Sequence, residues 1–294
     1  FYDRKLKKLV LARDKFGQKP LFYRYNNKSI YFSSELKSII NYDGCSDVDV
    51  IGAANPMFTT GLSPNGMTCF KDINEIEAGC YLEFDLDLSS VTSKRYFHVS
   101  ELVSSDKYNY YKKCGSVELL KEYYKVFDNS VKIHLRSDAR IACLFSAGLD
   151  SSLIAAMSSK YLDIDLYHYE SDFDDYSEYV SEFTHRFNLK CTFSKGGDLD
   201  YVKDLPKLLW HYETTNKSEG LALGNLTKLA REDGVKVLIT GDAADEIFGG
   251  YNTATDFYNI NRKYNNPTIR VMNKILRRLF PSSYNSYGDV NPLS

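Results

Sequence analysis

Short runs in which apolar and polar residues alternate fill the first hundred positions of the chain. The clearest runs are KLVLA (8–12), LFYRY (21–25), SIYFS (29–33) and CYLEFD (80–85). Alternation with a period of two is typical of half-buried β-strands, and turn-forming clusters such as Asn26-Asn27-Lys28 separate the runs. The pattern predicts a β-rich layer over residues 1 to about 99.

From about residue 115 the apolar positions change to the period of a helix. The residues that repeat at this spacing are Val117, Leu119, Leu120, Tyr123 and Val126, and the stripe continues to Leu135. The stretch between the two patterns, 100–114, is polar and shows no period, so we place the domain boundary there.

Strand-like and helix-like segments alternate after this first long helix. Strands are expected at 141–145, 165–169, 190–194 and 236–240, and helices at 153–162, 178–187, 201–211 and 220–232. Strands that alternate with helices at this spacing are typical of a doubly wound parallel sheet. The sequence therefore predicts two domains, a β-rich one at 1–100 and an α/β one at 115–294.

Composition narrows the range of partners and compartments. The chain has 294 residues, a net charge of −2 and lysines and arginines spread along its length, so nucleic acid is not an expected partner. No apolar run approaches the roughly 20 residues that span a bilayer, and we expect no membrane helix. The six cysteines show no paired spacing, which favours reduced thiols and a cytoplasmic protein.

The strongest chemical signal is the loop SAGLDSS at 146–152, between a strand-like and a helix-like segment. Small residues let backbone N–H groups converge on an anion, and a helix N-terminus adds about half an elementary positive charge. Asp150 would not bind phosphate itself, but it fits a site where Mg²⁺ joins a carboxylate to phosphate oxygens. The alternative is an ordinary turn with Asp150 as the N-cap of the helix.

A second loop, GDAADEIFGGY at 241–251, follows the strand-like KVLIT. Asp242, Asp245 and Glu246 lie within five residues, a crowding of negative charge that a nearby cation would relieve. Ligands of doubly wound sheets bind beyond the carboxyl ends of the strands, so we expect both loops to contact one ATP. The alternative is a solvated acidic loop that the Gly249-Gly250 turn closes.

These loops resemble signatures of the asparagine synthetase family. SAGLDSS is similar to the family's pyrophosphate-binding SGGLDSS, and GDAADEIFGGY is similar to GDGADELFGGY. Segments 12–23 (ARDKFGQKPLFY), 32–39 (FSSELKSI) and 95–97 (RYF) resemble parts of its glutaminase domain. The resemblance implies an incomplete N-terminal-nucleophile-type glutaminase β-layer at 1–100. An ATP pyrophosphatase domain, incomplete at its C-terminus, would follow at 115–294.

The resemblance also implies a reaction. The family converts a carboxylate to an acyl-adenylate with ATP and Mg²⁺, and ammonia from glutamine then displaces AMP; aspartate would yield asparagine. The site residues that this implies are Ser146, Gly148, Asp150, Ser151 and Ser152 for pyrophosphate, Asp150 and Asp245 for Mg²⁺, Leu144, Thr240 and Gly241 around the nucleotide, and Asp150, Asp242 and Asp245 as catalytic carboxylates. Asp242 would lie near the acyl group and assist the loss of a proton from ammonia.

Three departures from the family pattern limit these expectations. The N-terminal nucleophilic cysteine and the earlier glutaminase motifs are not in the sequence, so the chain as given is predicted to be inactive on glutamine. Ala147 and Ala243 replace family glycines, and a positive φ at either would cost on the order of 1 kcal/mol. Segment 212–220 replaces an acidic stretch with proline that many relatives carry, which puts aspartate in doubt as the substrate.

Other interpretations stay open at this point. The same signatures occur in enzymes that act on sugar acids, peptides or β-lactam precursors, and a nucleotide-binding paralogue without turnover would also carry them. A homodimer is neither indicated nor excluded.

Overall fold

The computed structural model describes residues 1–26, 29–44, 47–58, 66–87, 90–170, 176–195, 200–215, 220–252, 256 and 258–259. The elements of the amino-terminal half are β1 (Tyr2–Asp3), β2 (Lys8–Ala12), β3 (Phe22–Tyr25), β4 (Ile30–Ser33), α1 (Leu36–Asp43), α2 (Val50–Phe58), β5 (Ile73–Glu75), β6 (Cys80–Asp85) and β7 (Ser90–Arg95). The predicted β-rich layer is therefore present, together with two helices that the alternating pattern did not indicate.

Two antiparallel sheets form this half. Their strand orders are β1-β2-β6-β7 and β4-β3-β5. Cys80, Leu82 and Phe84, alternate residues of β6, are buried, and the Phe84 ring meets the rings of Tyr23 and Tyr25 of β3 edge to face. The core of this half thus lies between the two sheets. A second apolar cluster packs α1 on β5.

The elements of the carboxyl-terminal half are α3 (Ser105–Lys113), α4 (Ser116–His134), β8 (Ile141–Leu144), α5 (Leu149–Ser158), β9 (Asp165–Glu170), α6 (Ser177–Phe187), β10 (Cys191–Lys195), α7 (Tyr201–Tyr212), α8 (Gly220–Glu232), β11 (Val237–Ile239) and α9 (Ala244–Phe248), with a 3₁₀ turn at Val99–Leu102 before them. Within the described ranges, the helices are too short or too polar to span a bilayer.

Helix α3 lies in the segment expected to have no periodic structure. Ser104 caps it, because the Ser104 hydroxyl accepts the backbone N–H of Lys107 at 3.2 Å, and two lysines occupy its last turn. None of its residues is buried. An exposed helix needs no apolar stripe, so capping and charge hold an element here that hydrophobic periodicity could not reveal.

A four-stranded parallel sheet organises this half, in the order β10-β9-β8-β11. Ile141, Cys143 and Phe145 share one buried cluster with residues of α4, α5 and α6. Ala142 and Tyr167 share another with α8. Helices therefore cover both faces, and the predicted doubly wound α/β fold is confirmed.

The strand order creates a switch point between β8 and β11. After β8 the chain builds outward through β9 to β10, and it then returns across the sheet to place β11 on the other side of β8. Loops that leave adjacent strands in opposite directions open a crevice at the carboxyl edge of the sheet, which is where ligands of such folds bind. The SAGLDSS and GDAADE loops leave these two strands.

Candidate active site

A cavity of about 640 Å³ opens at this switch point. The predicted site residues that line it are Leu144, Ser146, Asp150, Ser151, Thr240, Gly241, Asp242 and Asp245. The two loops touch, because a Cβ atom added at Gly241 would lie 3.0 Å from Cβ of Asp150 and 3.1 Å from the backbone nitrogen of Ser151. Residues about ninety positions apart in the sequence therefore form one site.

Two other residues predicted for this site do not line the cavity. Gly148 is the N-cap of α5. Ser152 is buried, and its hydroxyl accepts a hydrogen bond from the Tyr179 hydroxyl at 3.0 Å. The structure places both beside the cavity, where they shape the loop and the start of the helix.

The first loop is built around the buried Ser151 hydroxyl. This Oγ lies 3.0 Å from Oγ of Ser146, accepts the Ser146 backbone N–H at 3.2 Å and donates to the Gly148 carbonyl at 3.2 Å. Ala147, between them, has φ = +63°. Asp150 lies in the first turn of α5, and Gly148 occupies the N-cap, so the N-cap interpretation of Asp150 is wrong.

The second loop orients Asp242 through its neighbour Thr240. The Thr240 hydroxyl donates to Oδ2 of Asp242 at 2.8 Å. Ala243 follows with φ = +74° and caps the five-residue helix α9. Glu246 accepts a hydrogen bond from the Tyr251 hydroxyl at 3.0 Å. That bond, with the negative charge of Glu246, raises the pKa of Tyr251. Glu246 thus holds the Tyr251 side chain beside the cavity.

The charged side chains that line the cavity are acidic. Asp150, Asp242, Asp245 and Glu246 line it, and none of the described residues that line it is a lysine or arginine. In the described part of the chain, no three His, Cys, Asp or Glu side chains form a group that could hold a metal ion. The four carboxylates make the cavity more favourable for a cation than for a bare anion.

Another part of the cavity wall consists of residues to which sequence reasoning assigned no role. It includes Tyr167, His168 and Tyr169 of β9, with Ala222 and Leu223 of α8. His168 is buried, and its Nδ1 lies 2.7 Å from the carbonyl oxygen of Phe145. The carboxyl end of β9 meets the same sheet edge as β8, which is the signal that could have placed this strand at the site.

The doubly wound sheet and the paired loops at its switch point define an α/β domain with a ligand site at the carboxyl edge of its sheet. The family model for asparagine synthase matches residues 122–290, and the model for a glutamine amidotransferase domain matches residues 1–97. The first match alone covers more than half of the chain. This chain belongs to the asparagine synthase family.

Curated relatives carry the same name. A putative asparagine synthetase [glutamine-hydrolyzing] 2 of Methanocaldococcus jannaschii is 28% identical, over 94% of this chain and 52% of the relative. The putative asparagine synthetase [glutamine-hydrolyzing] 1 of the same organism is 31% identical, over 85% of this chain and 43% of the relative. Asparagine synthetase [glutamine-hydrolyzing] 2 of Bacillus subtilis is 28% identical, over 86% of this chain and 36% of the relative. The chain thus spans about half the length of these relatives, or less.

Proposed function

We propose that this chain binds ATP with Mg²⁺ in the switch-point cavity and joins ammonia to a carboxylate through an acyl-adenylate, with aspartate as the first candidate substrate. The observation that carries the proposal is the composition of the cavity: four carboxylates and, among the described lining residues, no lysine or arginine, beside a loop of small residues at a helix start. A bare polyphosphate would be repelled there, whereas Mg²⁺ bound between the phosphates and the carboxylates would reduce this repulsion.

The residues present fit this ligand. Asp150 and Asp245 would hold Mg²⁺, which supplies positive charge to the departing pyrophosphate. Ser146 and the backbone N–H groups at the start of α5 would face the pyrophosphate, with Ser151, Gly148 and Ser152 fixing the loop. Leu144, Thr240 and Gly241 would border the nucleotide.

We assign the chain's own groups roles in both chemical steps. A carboxylate oxygen of the substrate attacks the α-phosphorus as pyrophosphate leaves, and donors preorganised in the first loop stabilise the charge that develops on it. Ammonia then attacks the acyl carbon, AMP leaves and the nitrogen loses a proton. Asp242 would accept this proton, because the Thr240 hydroxyl holds its carboxylate in place through Oδ2 and leaves Oδ1 for the substrate.

We also propose that ammonia comes from glutamine in a complete enzyme, and that residues 1–294 do not hydrolyse glutamine themselves. The thiolate is the reactive form of cysteine. Burial raises the pKa of Cys69, that of Cys143 to about 11 and that of Cys191 to about 12. These thiols are therefore almost wholly protonated near neutral pH and are poor nucleophiles. Cys45 lies outside the described residues.

Thermal unfolding with and without ATP and Mg²⁺ tests the proposal. At a hundredfold excess over Kd, a ligand that binds only the folded state stabilises it by about 2.7 kcal/mol. For a protein of this size that corresponds to a rise in Tm of about 5–10 °C. The rise should disappear in Asp150→Asn. Asp106→Asn is the matched control, because Asp106 also lies in the first turn of a helix, but on the exposed α3.

An equal rise in the parent and in Asp150→Asn would contradict the site. A rise in Tm with no pyrophosphate release, when aspartate or a panel of sugar acids, peptides and β-lactam precursors is supplied as the substrate, would indicate a protein that binds the nucleotide without turnover. Release with one of the other carboxylates would identify the substrate.

A further inference from the structure

The carboxylate of Glu213 connects the two halves of the molecule. Glu213 follows α7 in the carboxyl-terminal half, yet its Oε2 accepts the backbone N–H of Leu36 at 2.7 Å and its Oε1 accepts that of Lys37 at 2.8 Å. The Lys37 ammonium lies 3.1 Å from the same Oε1. Only 9% of the Glu213 side chain is exposed. These are three charge-assisted contacts to one buried carboxylate.

The Glu213 side chain caps the N-terminus of helix α1. The first N–H groups of any helix have no partner within it, and a side chain at the N-cap position usually accepts one of them. Glu35, the N-cap of α1, makes no such bond. The carboxylate that accepts the Leu36 and Lys37 amides instead comes from 177 and 176 positions further along the chain. Helix α1 is therefore capped from the other half.

The backbone at Glu213 is held in an unusual conformation. Its φ is +55°, in the left-handed region that residues with a side chain seldom occupy. Such a conformation persists only where surrounding contacts fix it. Here the Glu213 N–H bonds to the Leu209 carbonyl at 2.8 Å, which ends α7, while the side chain is fixed by α1.

Neighbouring contacts extend the same connection. Lys37 Nζ lies 5.8 Å from the ring centroid of Trp210. The Thr215 hydroxyl donates to the carbonyl of Ala53 in α2 at 2.7 Å. Segment 210–215 therefore contacts both α1 and α2.

The same segment lies against α8, which forms part of the wall of the switch-point cavity. A Cβ atom added at Gly220 would lie 3.1 Å from the Tyr212 ring. Gly220 begins α8, which supplies Ala222 and Leu223 to the cavity wall. Burial, and in addition the negative charge of Asp242, raises the pKa of Tyr212. Segment 210–215 thus joins the contact at Glu213 to the part of the cavity wall that α8 supplies.

We propose that Glu213 is a positioning residue that anchors α1 of the amino-terminal half to segment 210–215, and so fixes that half beside α8, which supplies part of the cavity wall. The proposal concerns the contact between the halves, and it holds whatever reaction the cavity performs.

Hydrogen exchange of the Leu36 and Lys37 amides tests the anchor directly, and fluorescence of Trp210 is a second readout because the chain has one tryptophan. In Glu213→Ala both amides should exchange at least about tenfold faster, since each loses a hydrogen bond to a charged acceptor. The Trp210 emission should shift as Lys37 moves. Glu213→Gln keeps an accepting oxygen but no charge, so its exchange rates should be intermediate, a partial rescue.

Two further variants separate the anchor from general destabilisation. Lys37→Met removes the ammonium but keeps both N–H groups, so it should change the Trp210 emission and leave the slow exchange in place. Asp14→Ala is the matched control, because the Asp14 carboxylate accepts three backbone N–H groups within the amino-terminal half. It should release the amides of Phe16, Gln18 and Lys19 and spare those of Leu36 and Lys37.

Parent-like exchange of Leu36 and Lys37 in Glu213→Ala would overturn the proposal. If that variant does not fold, Glu213→Gln decides in the same way: faster exchange supports the anchor, and unchanged exchange refutes it. Faster exchange at Leu36 and Lys37 in Asp14→Ala, to the same extent, would also refute it, because the amides would then report only the stability of the half.

Discussion

Replacing Ala243 with glycine is expected to stabilise the folded protein. Ala243 has φ = +74°, where the Cβ atom crowds the following carbonyl oxygen at a cost of about 1–2 kcal/mol. Glycine removes this strain but adds about 0.4–1 kcal/mol of conformational freedom to the unfolded chain. Ala243 is exposed, so its methyl group takes little packing energy with it. The net gain in unfolding free energy should be about 0.5–1 kcal/mol.

Ala147 has the same backbone strain and a different environment. Its φ is +63°, but its methyl group packs against the core cluster of the parallel sheet. Loss of one buried carbon costs about 0.8 kcal/mol, which offsets most of the relief of strain. Ala147→Gly should therefore leave stability nearly unchanged, and the order of the two variants reflects burial alone.

Ala244→Gly provides the matched control, one position along the chain. Ala244 begins helix α9, where glycine costs about 0.5–1 kcal/mol through its greater freedom in the unfolded state. Urea unfolding measures all three free energies, and thermal unfolding should give Ala243→Gly a rise of about 1–4 °C. A fall in stability in Ala243→Gly equal to that in Ala244→Gly would show that position 243 carries no strain, and the magnitude above would be wrong.

Two further predictions concern carboxylates. Asp245→Asn should abolish pyrophosphate formation and its Mg²⁺ dependence, while Asp242→Asn should mainly slow ammonia-dependent product formation; normal adenylation and Mg²⁺ response in Asp245→Asn would contradict the assignment. Asp14 accepts the N–H of Lys19, Gln18 and Phe16, and these bonds, led by that of Lys19, hold its pKa below 3.8. A carboxyl group whose pKa is lower in the folded state than in the unfolded state stabilises the fold at pH values above the unfolded-state pKa. This stabilisation is lost as the pH falls through the folded-state pKa. The stability difference between the parent and Asp14→Asn, measured by urea unfolding, should be constant above about pH 5 and shrink below about pH 4.

The fold was predictable where burial imposes a period on the sequence. The strands of the parallel sheet are apolar runs, and α5, α6 and α8 each bury one face, so both patterns are visible along the chain. Strand β7 is the opposite case. Each of its residues, Ser90–Arg95, is exposed, and pairing with β6 holds the strand in place. Backbone pairing with the preceding strand holds β7 without burying its side chains, so its sequence shows no apolar period.

The two loops of the candidate site were predictable from the sequence, and the rest of its wall was not. Its two loops stood out because small residues and crowded carboxylates are unusual directly after a buried strand. The wall formed by Tyr167, Tyr169 and α8 carried no such signal, because aromatic and apolar residues at a strand end also serve an ordinary core. Ser152 shows the converse: its residue type suits a phosphate, but the turn of α5 directs its hydroxyl to Tyr179.

The strand order explains why these local signals could not give the whole arrangement. Sequence separates β8 from β11 by two strands and four helices, and only the return of the chain across the sheet makes them neighbours. That return runs through α7 and α8, so the same crossover that closes the cavity also carries Tyr212 and Glu213 to the amino-terminal half. Because Gly241 lies against Asp150, substitutions in the two loops share neighbours. Because Gly220 lies against Tyr212, substitutions in segment 210–215 and at the start of α8 share neighbours as well. Their effects should therefore not add, since residues in contact are energetically coupled.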